Sequence, residues 1–411
     1  MPDVSQSQIG ILPCPGGMAF AQKIYGFLES ITKDKFEERI RSLSRAYELP
    51  RTEIIRQMNL TSDMMPSSVD FDEPIDQYRT PNYVVPAQYT WFPNGEFKTE
   101  ILSSVRNTDV YVVQDVSNRC PIQFPRTDEP QILSVNDHLM CLLVTVDAAM
   151  QAGAMQVTVV LPTYPYSRQH KKRGRESLSA ARIGQILEYF GVARIVTLDI
   201  HSKEIENTFN HLRIENLHGA YQIIKVLATI VDLKDERLVI VAPDTGAVDR
   251  SKFFASILGR PLGMLYKERD YSRVAQSAEK GNITDMKLLG SVAGKIVFMS
   301  DDMLGTGGTL IKAMRVLKDL RAEKVICAVS LPLFTARAVE TFDKAYRDGL
   351  FHRIIGTNAV HHDENLLGRE WYLSADVSNL FARIIYRLHH NRSLGSLLDD
   401  RSVIKDLLKR S

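Results

Sequence analysis

The sequence predicts an α/β protein in which helices cover both faces of largely parallel sheets. Short apolar runs rich in β-branched residues recur along the chain, among them "DVYVVQD", "RLVIVAPDTG" and "KIVFMSDD". Amphipathic helical patterns separate these runs, as a doubly wound parallel sheet requires, because its strands are buried on both faces. The runs also form matched pairs, since "RIVTLDIH" is similar to "KIVFMSDD" and "DVYVVQD" to "RLVIVAPD". We therefore predict two similar α/β units in tandem, dividing near residues 216 to 220.

Length and composition limit the class of protein. At 411 residues the chain exceeds what one hydrophobic core usually organises, so we expect two domains. Lysine plus arginine (51) nearly balances aspartate plus glutamate (49), which argues against a nucleic-acid-binding protein that acts through bulk charge. The N-terminus has no signal-peptide pattern, and no window offers about 18 uninterrupted apolar residues. We predict a cytoplasmic protein without a membrane anchor.

The first strand, "IGILPC", is followed by a segment that departs from the alternation. Four apolar side chains recur there at helical spacing: Phe36, Ile40, Leu43 and Tyr47. Pro50 is expected to begin a second helix, and the proline-rich stretch after it reads as an extended connection. We predict an insertion at about residues 31–88 within a first domain of residues 1–216, a second domain of residues 217–375, and a C-terminal helix and tail of residues 376–411.

The stretch "SDDMLGTGGTL" joins the strand "KIVFM" to a helical pattern. A turn that opens a helix presents unpaired N–H groups to an anion, and glycines let the backbone approach it closely. Carboxylates next to such a turn suit vicinal hydroxyls, since ionised carboxylates accept hydrogen bonds. A sugar phosphate satisfies both requirements, and the alternative is a strand-to-helix turn with acids acting as caps. The candidate sugar-phosphate residues are Asp301, Asp302, Gly305, Thr306, Gly307, Gly308 and Thr309.

This motif resembles the ribose 5-phosphate loop of the type I phosphoribosyltransferase fold, which phosphoribosyltransferases share with ribose-phosphate diphosphokinases. Further motifs are similar to those of the diphosphokinases, in the same order: "FPNGEFKTEI", "YPYSRQHKKRGRESLSA", "TLDIHSKEIENTF", "APDTGAVDR" and "YKERD". The resemblance implies two tandem type I phosphoribosyltransferase-like domains. It also implies transfer of the diphosphoryl group of MgATP to the anomeric hydroxyl of ribose 5-phosphate, which yields AMP and 5-phosphoribosyl 1-diphosphate. A phosphoribosyltransferase would not need the "FPNGE", "RQHKKR" and "KER" motifs.

The ATP site is expected from two of these motifs. The run "RQHKKRGR" follows the strand "QVTVVLP" after five residues, so its cations should lie at the edge of the sheet where ligands bind. Arg168 suits bidentate contact with phosphate, and Lys171 and Lys172 act as point charges. The resemblance adds Gln169 and His201 as ATP contacts, and Phe92, Asn94 and Glu96 as contacts to adenine from a neighbouring subunit. It therefore implies a homo-oligomer, based on dimers and possibly a hexamer.

A magnesium site is expected at the end of "RIVTLDIH". Asp199 and His201 are two residues apart in an extended segment, so their side chains point to the same side and suit one hard cation shared with phosphate oxygens. The resemblance adds Asp244, which in the family bears on both magnesium and the ribose 5-phosphate. The predicted metal ligands are thus Asp199, His201 and Asp244.

Lys267 and Arg269 of "YKERD" are the expected catalytic residues, because diphosphoryl transfer depends on cations aimed at the moving phosphate. Without the other motifs, these two residues would be interpreted as alternating charged residues at the end of a strand. Gly305, His170 and Asp249 depart from residues that are frequent in the family. These departures leave open a second function, that of a weakly active or inactive homologue that binds nucleotide or sugar phosphate and regulates an active partner.

Overall fold

The computed structural model of the chain describes residues 7–63, 81–172, 174–267 and 286–410. These residues form two compact units. Unit 1 contains the described residues up to Thr197, together with Ser202–Leu217 and Ser378–Leu397. Unit 2 contains Leu198–His201, His218–Val377 and the chain from Leu398 onward.

Unit 1 is built on a five-stranded sheet with the order β1-β4-β5-β6-β7. Its first four strands pair in parallel, and all six residues of β4 are buried. The sheet strands are β1 (Gln8–Pro13), β4 (Thr108–Val113), β5 (Gln156–Val160), β6 (Arg194–Leu198) and β7 (Arg213–Leu217). An antiparallel hairpin is formed by β2 (Ala87–Trp91) and β3 (Phe97–Ile101). The helices are α1 (Met18–Tyr47), α2 (Arg51–Asp63), α3 (Val135–Gln151), α4 (Ser179–Tyr189) and α10 (Ser378–His389).

Unit 2 contains a seven-stranded sheet with the order β10-β9-β8-β11-β12-β13-β14. Every pair is parallel except β9 with β10. The strands are β8 (Leu238–Ala242), β9 (Leu262–Lys267), β10 (Met286–Leu289), β11 (Ile296–Leu304), β12 (Lys324–Pro332), β13 (Arg353–Thr357) and β14 (Tyr372–Ala375). The helices are α5 (Ala220–Leu227), α6 (Val248–Leu258), α7 (Gly308–Asp319), α8 (Ala338–Arg347), α9 (Glu364–Leu367) and α12 (Arg401–Arg410), and a short helix, α11 (Gly395–Leu398), precedes α12.

Two hydrophobic cores lie on opposite faces of the unit 2 sheet. Along β11, Val297 and Met299 pack in the core that includes α7 and α8, whereas Ile296 and Phe298 pack in the core that includes α5, α6 and α12. Successive side chains of a strand point to opposite faces, so a continuous apolar run fills both cores. This is the doubly wound arrangement that the sequence predicts, and the α/β fold class is confirmed.

The N-terminal helices contain the first part of the expected insertion. Helix α1 runs without a break from Met18 to Tyr47, so residue 31 lies within it. The second helix starts at Arg51, directly after Pro50 as expected. Ile40, Ile54 and Ile55 are buried where α1 packs on α2, and Phe36 and Leu43 pack at the edge of this cluster. Tyr47, the fourth residue of the predicted stripe, is 66% exposed. Residues 64–80 of the proline-rich connection lie outside the described residues.

The two units divide the C-terminal tail between them. Helix α10 belongs to unit 1, where the Phe381 ring packs edge-on against Phe20 of α1 with centroids 5.1 Å apart. Helix α12 belongs to unit 2, where Ile404 is buried in the core formed with α5 and α6. The tail predicted as one segment, residues 376–411, therefore contributes to both cores. None of the described helices is long and apolar enough to cross a membrane.

Candidate active site

The sugar-phosphate turn predicted from "SDDMLGTGGTL" connects β11 to α7. Gly307 precedes the helix with a φ of 76°, and a Cβ atom at this position would lie 2.2 Å from the Phe342 ring. No side chain caps the helix, so its first N–H groups are open to a ligand. Thr306, Gly308 and Thr309 are exposed, while Leu310 is buried and anchors the turn. The geometry of the turn is compatible with an anion site, and the assignment of a sugar phosphate to it stays a prediction.

Asp301 and Asp302 lie within β11, which continues through both residues to Leu304 instead of ending at the apolar run. Burial and the neighbouring Asp302 charge raise the pKa of Asp301 to about 7. Burial alone would also raise the pKa of Asp302, but the hydrogen bond and charge of His201 and the charge of Arg250 outweigh it and lower that pKa. Asp302 is therefore an ionised acceptor at neutral pH, and Asp301 can both donate and accept hydrogen bonds.

A buried network surrounds Asp199, which follows β6 with a φ of 42°. Its carboxylate accepts hydrogen bonds from the Ser330 hydroxyl at 2.5 Å and the Gly219 N–H at 3.2 Å. The Arg250 guanidinium lies 3.3 Å away, and His218 Nδ1 lies 2.9 Å away. Burial opposes the charge on Asp199, but Arg250 and these hydrogen bonds lower its pKa and keep it ionised.

The three predicted metal ligands each contact other groups of the protein. His201 Nδ1 lies 2.5 Å from Asp302 Oδ2. Asp244 accepts hydrogen bonds from the N–H groups of Gly246 and Ala247, within its own loop. Among the described residues, no group of three His, Cys, Asp or Glu side chains could hold a metal ion. Asp199 and His201 instead contact different partners.

The predicted adenine contacts lie on the turn of the β2–β3 hairpin in unit 1. Phe92, Asn94 and Glu96 are all exposed. The turn is closed by the Phe92 N–H, which donates to the Glu96 carbonyl, and by the Gly95 N–H, which donates to the Phe92 carbonyl; Gly95 has a φ of 87°. Asn94 Oδ1 accepts a hydrogen bond from the Glu96 N–H at 3.1 Å, so its side chain also stabilises the turn itself.

The predicted phosphate contacts follow the carboxyl end of β5. Arg168, Gln169, Lys171 and Lys172 are exposed. Buried residues immediately before them fix the segment, since the Tyr164 hydroxyl donates to the Ala180 carbonyl at 2.8 Å. Lys171 pairs with Glu204 at 3.1 Å, an acid of the motif "HSKEIENTF". The Glu204 carboxylate is therefore close enough to compete with a phosphate for Lys171.

The two predicted catalytic cations lie at or beyond the end of β9. Lys267 is the last residue of β9, where it pairs with Met286 of β10, and nothing further is described of its side chain. Arg269 lies outside the described residues. Their assignment stays a prediction from the sequence.

Sequence reasoning missed two residues that hold Asp199 in place, His218 and Ser330. Ser330 accepts a hydrogen bond from Arg250 at 2.9 Å as well as donating to Asp199. A signal was available for Ser330, because it is a small polar residue near the carboxyl end of a strand that is otherwise apolar. No comparable signal marks His218.

Comparisons with known proteins agree with this architecture. Residues 67–191 match the N-terminal domain of ribose phosphate pyrophosphokinase, and residues 212–366 match the phosphoribosyl transferase domain. The ribose-phosphate pyrophosphokinase of Parasynechococcus marenigrum is 32% identical over 309 residues, which are 74% of this chain and 84% of the relative. Ribose-phosphate pyrophosphokinase A of Dictyostelium discoideum is 30% identical over 311 residues, covering 75% and 88%.

A solved structure shares the fold across nearly the whole chain. The phosphoribosylpyrophosphate synthetase from Mycobacterium smegmatis superposes with a TM-score of 0.66 at 23% identity, covering 93% of this chain and 99% of that one. The two domain matches and the curated relatives place the chain in the ribose-phosphate pyrophosphokinase family, also called ribose-phosphate diphosphokinases.

Proposed function

We propose that this protein is an active ribose-phosphate diphosphokinase, which transfers the diphosphoryl group of ATP to the anomeric hydroxyl of ribose 5-phosphate. The observation that carries the proposal is the junction of β11 and α7. An ionised carboxylate there lies beside an uncapped helix N-terminus, so acceptors for hydroxyls and donors for a phosphate adjoin each other. Membership of the family indicates which reaction is catalysed, and we assign the sugar phosphate to the junction of β11 and α7.

The sugar phosphate is assigned to unit 2. Gly305 and the residues that follow it, through Thr309, hold the 5-phosphate with backbone N–H and hydroxyl donors. Asp302 accepts hydrogen bonds from the ring hydroxyls, and Asp301, whose pKa is about 7, exchanges donor and acceptor roles with them. Asp244 lies close enough to add its negative charge to this group.

The nucleotide is assigned to residues of unit 1. Phe92 stacks on adenine, and Asn94 and Glu96 hydrogen-bond its edge. Arg168 and its basic neighbours, Gln169 included, contact the triphosphate. Because the family takes the adenine loop from a neighbouring subunit, the proposal includes a homo-oligomer as the active form.

The donor chemistry of unit 2 fits a magnesium ion. The carboxylates of Asp302 and Asp244 lie close enough to Asp301 to act on it, and burial together with these negative charges raises the pKa of Asp301. Mg²⁺ takes oxygen ligands, keeps several waters and needs only one or two protein ligands beside substrate phosphates. Asp199, His201 and Asp244 are the residues that, by resemblance to the family, would hold it. When bound, it supplies charge neutralisation to the phosphates.

The chemical step is assigned to Lys267 and Arg269. Phosphoryl transfer requires little covalent work by the protein, so cations that contact the transferring group stabilise the transition state. The sugar hydroxyl attacks the β-phosphorus, the bond to the α-phosphate oxygen breaks, and AMP leaves.

Product identification tests the proposal. Purified protein is incubated with ribose 5-phosphate and MgATP, and the nucleotide product is separated by ion-exchange chromatography. AMP formed in equal amount with 5-phosphoribosyl 1-diphosphate supports the diphosphokinase. ADP would indicate a simple kinase instead. Intact binding of both substrates without turnover would favour the regulatory homologue, for which Gly305, His170 and Asp249 are the motivating departures.

A further inference from the structure

A groove of about 550 Å³ lies on unit 1 between the second half of α1 and the end of α10. Its apolar lining comes from Phe36, which is half-buried, and Tyr386, which is buried. Neither helix belongs to the residues matched as family domains, 67–191 and 212–366. The size of the groove suits a small organic molecule.

The polar lining of the groove is predominantly cationic. Lys35, Arg39 and Arg392 face one acid, Glu38, which leaves an excess of two positive charges. Glu38 pairs with Lys35 at 2.6 Å. The Arg39 guanidinium has no ion-pair partner among the described residues, and that of Arg392 lies 5.5 Å from the centroid of the Tyr386 ring. Two guanidinium groups are therefore available to an anion.

The ring of His390 forms part of the same lining. It lies edge-on to Tyr386 with centroids 4.4 Å apart. Burial, His389 and the charge of Arg392 lower the pKa of His390 to about 4, so this histidine is neutral at neutral pH. An anion bound beside Arg392 would offset part of that repulsion and change the magnetic environment of the ring.

We propose that this groove binds a phosphorylated small molecule. A phosphate monoester carries about 1.5 to 2 negative charges at neutral pH, which matches the excess positive charge of the lining. Arg39 and Arg392 bind its oxygens as planar, bidentate donors, and the Ser42 hydroxyl adds a further donor. Phe36 and Tyr386 contact the organic part. The bound molecule bridges α1 and α10, and its binding does not depend on the diphosphokinase reaction.

Histidine NMR of the full-length protein tests this site directly. The His390 ring signal is identified with the His390→Asn variant and followed during separate titrations with inorganic phosphate, ribose 5-phosphate and ADP. We expect at least one probe to shift the His390 signal saturably. Arg39→Ala and Arg392→Ala should each weaken that binding about tenfold or more, because each removes a charged hydrogen-bond donor. Arg45→Ala, which removes an exposed arginine of α1 outside the groove, is the matched control.

The probes separate the possible sources of the phosphate group. Equal responses to all three would show that the phosphate alone is recognised, whereas a stronger response to ADP or ribose 5-phosphate would identify the organic part. Ribose 5-phosphate and ADP also have candidate sites elsewhere in the chain, so the readout is the His390 signal and not total heat. The proposal is overturned if no probe shifts that signal saturably, or if Arg45→Ala weakens binding as much as Arg39→Ala does.

Discussion

Replacing Gly307 with alanine should destabilise unit 2 and disrupt the sugar-phosphate turn. Gly307 has a φ of 76°, and a Cβ atom there would lie 2.2 Å from Cε2 and 2.8 Å from Cζ of Phe342. Phe342 is fully buried and stacks on Trp371 with centroids 5.8 Å apart, so its ring has little room to move.

The expected magnitude has two parts. A non-glycine residue in the left-handed region costs about 1–2 kcal/mol. Overpacking of a dense core costs about 1–3 kcal/mol more, so the free energy of unfolding should fall by about 2–5 kcal/mol in total. For a unit of 150–250 residues each kcal/mol lowers Tm by about 2–4 °C, which predicts a decrease of about 4–20 °C.

Thermal unfolding followed by circular dichroism measures this effect, and Gly294→Ala is the matched control. Gly294 also has a left-handed φ, 69°, but a Cβ atom there meets nothing within 4 Å. It should therefore show only the conformational part, about 1–2 kcal/mol. Phe342→Leu in the Gly307→Ala background should recover part of the loss. If Gly307→Ala is no less stable than Gly294→Ala, the steric argument is wrong.

Four further outcomes are expected. Asp302→Ala should weaken ribose 5-phosphate binding by about 1.5–3 kcal/mol with little change for ATP, and calorimetry that showed the reverse would contradict the assignment. The pKa of Asp301 is raised, so its contribution to stability is present below the unfolded pKa and is lost as pH rises towards 7; Asp301→Asn should remove this part of the pH dependence of unfolding, and an unchanged profile would exclude it. Lys267→Ala should lower kcat on the order of a hundred- to a thousand-fold with little change in KM, and wild-type turnover would exclude the catalytic role. Glu204→Gln should release Lys171 and lower the KM for ATP a few-fold at low salt while the KM for ribose 5-phosphate stays constant; an unchanged KM for ATP would mean that the pair does not compete with phosphate.

Much of the fold was predictable because it follows from local patterns. The apolar runs expected to form strands appear as β1, β4, β5, β6, β8 and β11. Alternate side chains at the start of β11 pack in two different cores, so these side chains must all be apolar. The sequence shows this requirement as a continuous apolar run. Gly307 was predictable for the same reason, since a turn that needs a positive φ selects glycine.

Other features were not predictable because they depend on distant packing. Helix α1 extends from Met18 to Tyr47 and packs on α2 through Ile40. The C-terminal tail is divided because Phe381 and Ile404 are buried in different cores. In the sequence, these packing contacts are visible only as apolar residues at helical spacing, which do not show what each residue packs against.

The sequence by itself determined the α/β class and the family, and it predicts the sugar-phosphate chemistry of the turn after β11. Tertiary structure alone decided which partners hold each acid. Asp199 is bonded to Gly219, 20 residues away, and to Ser330, 131 residues away. His201 and Asp302 are 101 residues apart in the chain and 2.5 Å apart in space. Asp199 and His201 follow β6 of the five-stranded sheet, whereas Ser330 and Asp302 lie on β12 and β11 of the seven-stranded sheet. Their polar network is therefore set by tertiary packing and not by local sequence.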